Sequence, residues 1–425
     1  MLNHTFFHRL FPVLIWVRLF SPASGGDFPT FEQIVIDPNC GKVCYAVTAA
    51  DVNGDGKLDI VAVTENRVLW YQNPTWERRV IIEDQTERDN VCIAPYDIDG
   101  DGKIDFALGA GWTKSGTIQW LSRGNSLDEK WRVHLIDREV WLHRMRFADV
   151  LGKGKPQLVI SPLNKTQGDG VRLTAFEIPA NPKTGRWQRV VLDAELNRMH
   201  NHWHIDLDGN GTIDTVTASQ EGVHLIRRSE KGFRKTKIGT GAKGSKPNEN
   251  GAGEIKVGKL TNGRRFIATV EPMHGHSIVV YTEPEPGATL WNRHVIEDSL
   301  IRGHALWVAD LDGDGSDELV VGHSNTAAGE GCDDSCRGNL ATFPLLSTAT
   351  SDGAFNCADV PVASLNPGTP LPARVVTTPA EVILRMRLLP SSATKDSSSY
   401  KPLLLYPKRE GAGCFCSSLT RKKSH

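Results

Sequence analysis

Short apolar runs closed by turn residues recur along the chain from about residue 31 to residue 325. Ile60-Val61-Ala62-Val63, Val68-Leu69-Trp70-Tyr71, Phe266-Ile267-Ala268-Thr269-Val270 and Leu319-Val320-Val321 are typical. No window holds a 3.6-residue apolar period for long, so the pattern predicts short strands and not helices. The runs come in sets of four. An apolar strand leads into an acidic loop, a second strand leaves it, and a third is rich in aromatic residues. A fourth carries Trp followed by hydrophobic positions, as in Trp76 to Ile82, Trp131 to Ile136, Trp187 to Leu192 and Trp291 to Ile296. Four turn-bounded strands per set predict one antiparallel blade.

Anchoring each set on the first loop residue gives 51, 97, 149, 206, 258 and 310, at intervals of 46, 52, 57, 52 and 52 residues. That is the spacing of propeller blades. The expected fold is all-β, a seven-bladed β-propeller over residues 28–389. The segment 31–37 reads as a fourth strand that precedes the first anchor. It therefore completes the last blade and closes the ring between the chain ends, leaving no open sheet edge. A degenerate seventh unit near residue 364, with strands at 374–378 and 382–386, supplies the rest of that blade. Without that unit the ring has six blades.

The loops between first and second strands carry the clearest chemistry. In the first, oxygen side chains fall at Asp51, Asn53, Asp55 and Asp59, with Gly56 at the sixth position. Alternate residues point inward, the glycine permits the tight turn, and a backbone carbonyl near Lys57 adds a ligand, which is how a short loop wraps a hard cation. Unlike an EF-hand, the loop lacks a bidentate Glu at position twelve and runs into a strand. The spacing returns at Asp97, Asp99, Asp101 and Asp105, at Asp206, Asp208, Asn210 and Asp214, and at Asp310, Asp312, Asp314 and Glu318. Four such loops predict up to four bound Ca2+ ions. The unit at Asp149 keeps the turn without the ligands.

A formal net charge of −1 over 425 residues argues against a nucleic-acid partner, which needs a basic face. His8 and Arg9, the apolar run 10–17 and the small residues around Ala23 predict a secretory leader over 1–27, with Arg18 interrupting the run. The expected location is secreted or periplasmic, with no transmembrane segment in the mature chain. Residues 390–425, rich in Ser and ending on basic residues, are expected to be a disordered tail. Eight cysteines show no paired zinc spacing; Cys40 with Cys44, or Cys44 with Cys92, are the candidate disulfides in an exported protein.

The recurring Ala-Asp-x-Asn/Asp-Gly-Asp-Gly-x-x-Asp and its following strand resemble the FG-GAP/VCBS repeat of integrin-type and bacterial secreted propellers, over roughly residues 28–325. A narrower resemblance rests on histidines beside the repeat, as in Ile301-Arg302-Gly303-His304-Ala305-Leu306-Trp307-Val308-Ala309-Asp310. This stretch is similar to the propeller domain of aldos-2-ulose dehydratases. That likeness implies metal-dependent chemistry on keto-sugars, although the cupin domains that follow in the fungal enzymes find no counterpart in this sequence.

Histidine placement makes the same point from register. His143, His200 and His304 each stand six residues before an anchor, where Tyr45, Val91 and Ala252 stand in other units. That position begins the innermost strand, at the face opposite the calcium loops. The turn between second and third strands returns to this face, and in the fifth unit it holds His274 and His276. Arg144, Arg302 and Glu254 share the neighbourhood, and Trp112, Trp141 and Trp203 offer surfaces for a sugar ring. Converging imidazoles can hold Zn2+ or another divalent ion with an open position. Two functions follow: a metal-dependent carbohydrate dehydratase or lyase, or a calcium-stiffened module that binds a glycan or protein without catalysis.

Overall fold

The computed structural model describes residues 31–166, 168–284, 286–300, 302–311, 313–324, 338–343 and 383–388. The leader, the tail, Asp312 and the strand expected at 374–378 lie outside the described residues.

Apart from one short 3-10 turn, the described elements are strands. β1 (Phe31–Asp37) precedes a four-stranded sheet of β2 (Cys44–Ala50), β3 (Asp59–Thr64), β4 (Arg67–Gln72) and β5 (Glu77–Glu83). The second sheet holds β6 (Cys92–Tyr96), β7 (Asp105–Ala110), β8 (Thr117–Ser122) and β9 (Arg132–Arg138). The third holds β10 (Leu142–Ala148), β11 (Gln157–Pro162), β12 (Leu173–Glu177) and β13 (Gln188–Asp193). The fourth holds β14 (Asn201–Ile205), β15 (Asp214–Ser219), β16 (Gly222–Ser229) and β17 (Gly232–Gly239). The fifth holds β18 (Glu254–Lys259), β19 (Arg265–Glu271), β20 (Ser277–Thr282) and β21 (Asn292–Glu297). β22 (Ala305–Ala309), β23 (Glu318–Ser324) and β24 (Gly338–Phe343) form a three-stranded sheet, and β25 (Ile383–Leu388) pairs with β1.

Every pairing is antiparallel and sequential within its sheet, apart from the β1–β25 pair. The first strands stand side by side in order, β2 by β6, β6 by β10, β10 by β14, β14 by β18 and β18 by β22. Sheets arranged radially on their first strands make a β-propeller. The core therefore lies between blades. Trp131 packs with Val61, Trp70 and Phe106, Trp187 with Trp120 and Leu158, and Trp291 against Val216 and Ile267. Second strands such as β3, β7, β11 and β15 are buried on both faces because each blade is sandwiched by two others. Outer strands such as β9 alternate into solvent. Burying one such large side chain stabilises the fold by about 1.5–3 kcal/mol. The fourth-strand tryptophans also tie neighbours by backbone: Trp131 N donates to Ile81 O and Trp291 N to Ile238 O, each at 2.8 Å.

The loops fold as their spacing requires. Asp51 accepts from the backbone N–H of Gly54, Asp55 and Gly56 at 2.7, 3.0 and 2.8 Å, and Asp97 repeats this with Gly100, Asp101 and Gly102. Gly54 and Gly56 sit at φ 79° and 83°, left-handed values that a side chain disfavours. The ninth-position carboxylate starts the second strand and clips the loop shut. Asp59 accepts from Val52 N at 3.0 Å, Asp105 from Ile98 N at 3.1 Å and Glu318 from Leu311 N at 2.6 Å. In the ligand-poor third unit Gln157 accepts from Leu151 N at 2.9 Å, one residue further along than in the acidic loops, so a neutral side chain can also clip the turn. In the fifth unit Gly258 lies inside β18, and the turn falls at 260–264, closed by Leu260 N on Arg264 O at 2.9 Å.

Cys40, Cys44 and Cys92 form no disulfide among the described residues. Cys40 and Cys44 share one apolar cluster and Cys92 belongs to another, so the Cys44–Cys92 pairing has no support in the fold. The other five cysteines lie outside the described residues.

Candidate functional site

β10 and β14 are neighbours on the axis and β22 lies one blade further round, beyond β18, and the register places one imidazole at or next to the start of each. His200 is 1 % exposed and His143 2 %. His200 Nε2 lies 3.4 Å from His143 Nε2 and 2.6 Å from His274 Nε2. Ring centroids of His304 are 5.1 Å from His200 and 4.6 Å from His274. His200, His274 and His304 each offer a nitrogen, and these atoms all lie within 4.8 Å of one another. Four of the five predicted histidines thus converge.

His276 does not join them; it is exposed. The reason is local. The turn 272–275 passes through Met273 at φ 43°, so His274 and His276 face different ways although they are two residues apart. His202, two residues after His200 on β14, is fully buried elsewhere: its Nδ1 meets His204 Nε2 at 3.0 Å, and His204 Nδ1 meets Thr215 Oγ1 at 2.9 Å. Burial pushes His202 well down and His204 to about 3, so both stay neutral.

Beneath the imidazoles lies a polar layer. Glu254, at the start of β18 and 4 % exposed, has Oε1 3.2 Å from His200 Nδ1. Arg144 Nη2 donates to the same oxygen at 2.9 Å, and Asn201 Nδ2 donates to Oε2. Burial alone would raise this carboxyl, but the Arg144 guanidinium and the His200 contact outweigh it and hold it well below the usual carboxylate range. Arg144 is therefore turned to Glu254. Arg302 lies two residues before His304 with φ 51°.

A third layer follows one strand step further on, and the sequence reading missed most of it. Arg146 lies over Trp203 at 4.5 Å, and Lys256 Nζ lies 4.7 Å from the same ring and 5.6 Å from that of Trp307. Trp203 is thus engaged by cations and not at the mouth. The readable signal was charged residues two apart on inner strands, Arg144 with Arg146 and Glu254 with Lys256. Such pairs share a face of the strand.

The far side of the mouth is aromatic. Trp112 stacks on His143 with centroids 6.0 Å apart and meets Trp141 edge-on at 5.5 Å. Tyr45 and Val91, which hold the histidine register in the first two units, pack into the same cluster. Trp112 is buried against His143, whereas Trp141 is part-exposed and is the indole of this pair that a ligand could reach.

At the loop end, Asp97, Asp99 and Asp105 bring carboxylate oxygens within 4.8 Å of one another. Burial and the charge of Asp99 push Asp105 up to about 7, as expected of a carboxylate crowded by its neighbours. The third loop differs: Arg227 Nη2 reaches Asp208 at 2.8 Å and Asp214 at 3.1 Å. In the fourth, Asp310 accepts from Gly313 N and Asp314 from Ser316 N, both at 2.7 Å. Asp206 accepts from Asn210 N at 3.0 Å, and Asp55 from Lys57 N at 2.9 Å.

Residues 115–284 match the family described as aldos-2-ulose dehydratase, beta-propeller domain, and residues 51–108 match the FG-GAP-like repeat. The first match contains His143, His200, Glu254 and His274; the second contains the first two acidic loops. Aldos-2-ulose dehydratase of Phanerodontia chrysosporium is 26 % identical over 236 residues, which is 49 % of this chain and 26 % of that protein. The aligned region thus spans about a quarter of that relative's length. A solved structure of an Agrocybe aegerita lectin recognising non-reducing terminal N-acetylglucosamine aligns at TM-score 0.47 and 14 % identity, over 85 % of this chain and 86 % of the lectin. No helix among the described residues is long and apolar enough to cross a membrane.

Proposed function

We propose that this chain is an exported, calcium-binding, seven-bladed propeller that acts as a divalent-metal-dependent dehydratase on keto-sugars. The observation that carries the reading is the meeting of His200, His274 and His304 nitrogens within 4.8 Å. Neutral imidazoles are donors for Zn2+ and similar borderline cations, and three of them leave a coordination position open. A cation held there supplies Lewis-acid polarisation of a sugar carbonyl.

The chain's own residues then divide the work. Trp141 faces the apolar side of the ring, with Trp112 packed behind it against His143. His143, the fourth imidazole, takes the proton from the carbon next to the carbonyl. It returns a proton to the departing β-hydroxyl, so water leaves and an unsaturated ketone remains. Arg302 faces the developing enolate charge, because Arg144 is held by Glu254. The family match over residues 115–284 supports the sugar-dehydratase class. The acidic loops at Asp51, Asp97, Asp206 and Asp310 stiffen the scaffold with Ca2+, and the third binds weakest because Arg227 already neutralises it.

The test is His304→Ala. The parent should hold one transition metal in addition to calcium and convert a keto-sugar to an ultraviolet-absorbing product; the variant should lose both while keeping its fold and its calcium. A parent without transition metal, or a variant with the parent's metal content, removes the enzyme reading. A calcium-stiffened glycan-binding module then takes its place.

A further inference from the structure

We infer that Glu254 is the positioning residue of the histidine site: it fixes the tautomer of His200, so that Nε2 presents a lone pair to the other imidazoles. This rests on the reading of His200, His274 and His304 as a metal site, but it makes a claim about the metal-free protein as well.

The two nitrogens of His200 meet different surroundings. Nδ1 lies 3.2 Å from Glu254 Oε1, an ion-pair distance without the alignment of a full hydrogen bond, so the carboxylate acts on it through its charge. Nε2 faces His274 Nε2 at 2.6 Å and His143 Nε2 at 3.4 Å. A neutral imidazole carries one proton, and an ionised carboxylate only accepts. The proton therefore resides on Nδ1 and the lone pair points into the site. With the proton on Nε2, His200 would offer no donor atom and would place a hydrogen between itself and His274.

The carboxylate is itself held on both sides. Arg144 Nη2 takes Oε1 at 2.9 Å and supplies the balancing charge that lets a buried carboxylate stay ionised. Asn201 Nδ2 takes Oε2, and Arg146 Nη2 holds Asn201 Oδ1 at 3.0 Å. Arg146 Nε is fixed in turn on His202 O at 2.8 Å. Three inner strands, β10, β14 and β18, thus converge on one carboxylate whose remaining contact is His200. Such outer partners of a ligating histidine change metal affinity by about 10–100-fold when removed.

The experiment uses the full chain, with Glu254→Gln and the charge-balanced pair Arg144→Gln/Glu254→Gln as a second variant should the first leave a buried guanidinium that prevents folding. In metal-free parent protein, imidazole 15N spectra assigned with His200→Ala should show His200 protonated on Nδ1. Either variant should shift His200 towards the Nε2-protonated form, and a zinc titration should show about 10–100-fold weaker binding. Protonation on Nε2 in the parent, or an unchanged His200 spectrum and zinc affinity in a folded variant, overturns the inference. A parent that binds no zinc but keeps the Glu254-dependent tautomer overturns the reading of function and upholds this one.

Discussion

Lys256 is the most exacting place to test the energetics of the axis. It is 3 % exposed, donates to Ile255 O at 3.2 Å, and faces the rings of Trp203 and Trp307. Burial first, and then the Arg146 charge, pulls its amine from 10.5 down to about 7, with Glu254 opposing and Arg144 adding to the fall. Between these two values the unfolded chain keeps the proton that the folded chain has lost. The unfolded state then binds more protons, so stability rises with pH. The penalty is about 4 kcal/mol at pH 7 and about 1 kcal/mol at pH 9.5. Lys256→Met removes it and forfeits cation–π contacts worth about 0.5–2 kcal/mol. The variant should therefore be more stable than the parent by about 2–3 kcal/mol at pH 7, and the gap should narrow to about 1 kcal/mol by pH 9.5, where the folded amine is neutral and no cation–π contact remains to be lost. Urea unfolding at fixed calcium, from pH 7 to 9.5, reads this directly. Higher pH is avoided because Tyr71 and Tyr281, raised by burial, then weaken the fold as their unfolded forms ionise. A variant that is less stable at pH 7, or that shows the parent's pH slope, refutes the argument.

Three further outcomes can be checked. Calcium should raise the melting temperature and a chelator lower it, by about 2.7 kcal/mol of stability at a hundredfold excess over Kd, with Asp105→Asn removing more of the response than Asp214→Asn; identical melting curves with and without calcium would show empty loops. Glu271→Ala should cost about 3–5 kcal/mol in denaturant titration, because it strands Arg293, bonded twice at 3.0 and 2.8 Å, and Tyr281, bonded at 2.7 Å. Gly251→Ala should cost about 1–3 kcal/mol by the same assay, since Gly251 sits at φ 91° and a Cβ there would overlap the Ser219 carbonyl oxygen; a loss below about 0.5 kcal/mol would mean that the turn relaxes freely.

The architecture was readable because its signals are local and repeated. A ligand spacing such as that at Asp97, Asp99 and Asp105 sits within one loop, and counting back from it predicts which residues begin an inner strand. That count placed His143, His200 and His304 together across three blades without any contact information. It failed at His276, because inside a turn the two-residue alternation of a strand no longer holds. It also left Trp203 at the mouth, since nothing in the register shows that Arg146 and Lys256 cover its ring. The pairing of Glu254 with His200 spans 54 positions and two blades, and no spacing rule reaches that far. The β1–β25 pair was readable from both ends, since 31–37 reads as a fourth strand and 382–386 as a strand of the same unit, although the repeat near 364 has no acidic loop to anchor the count.

That partner has a consequence for synthesis. Phe31 pairs with Leu388, 357 positions later in the chain. During translation at about 5–20 residues per second, β1 waits roughly 20–70 s with its partner still unmade. Each intervening blade can close as it emerges, since its strands are consecutive. Among the described strands β1 stays unpaired while six other sheets form, and joining the edge of the wrong one would trap the chain in a mispaired fold. Nascent chains stalled shortly before residue 383 should accordingly be the most aggregation-prone lengths, and release of a few further residues should rescue them.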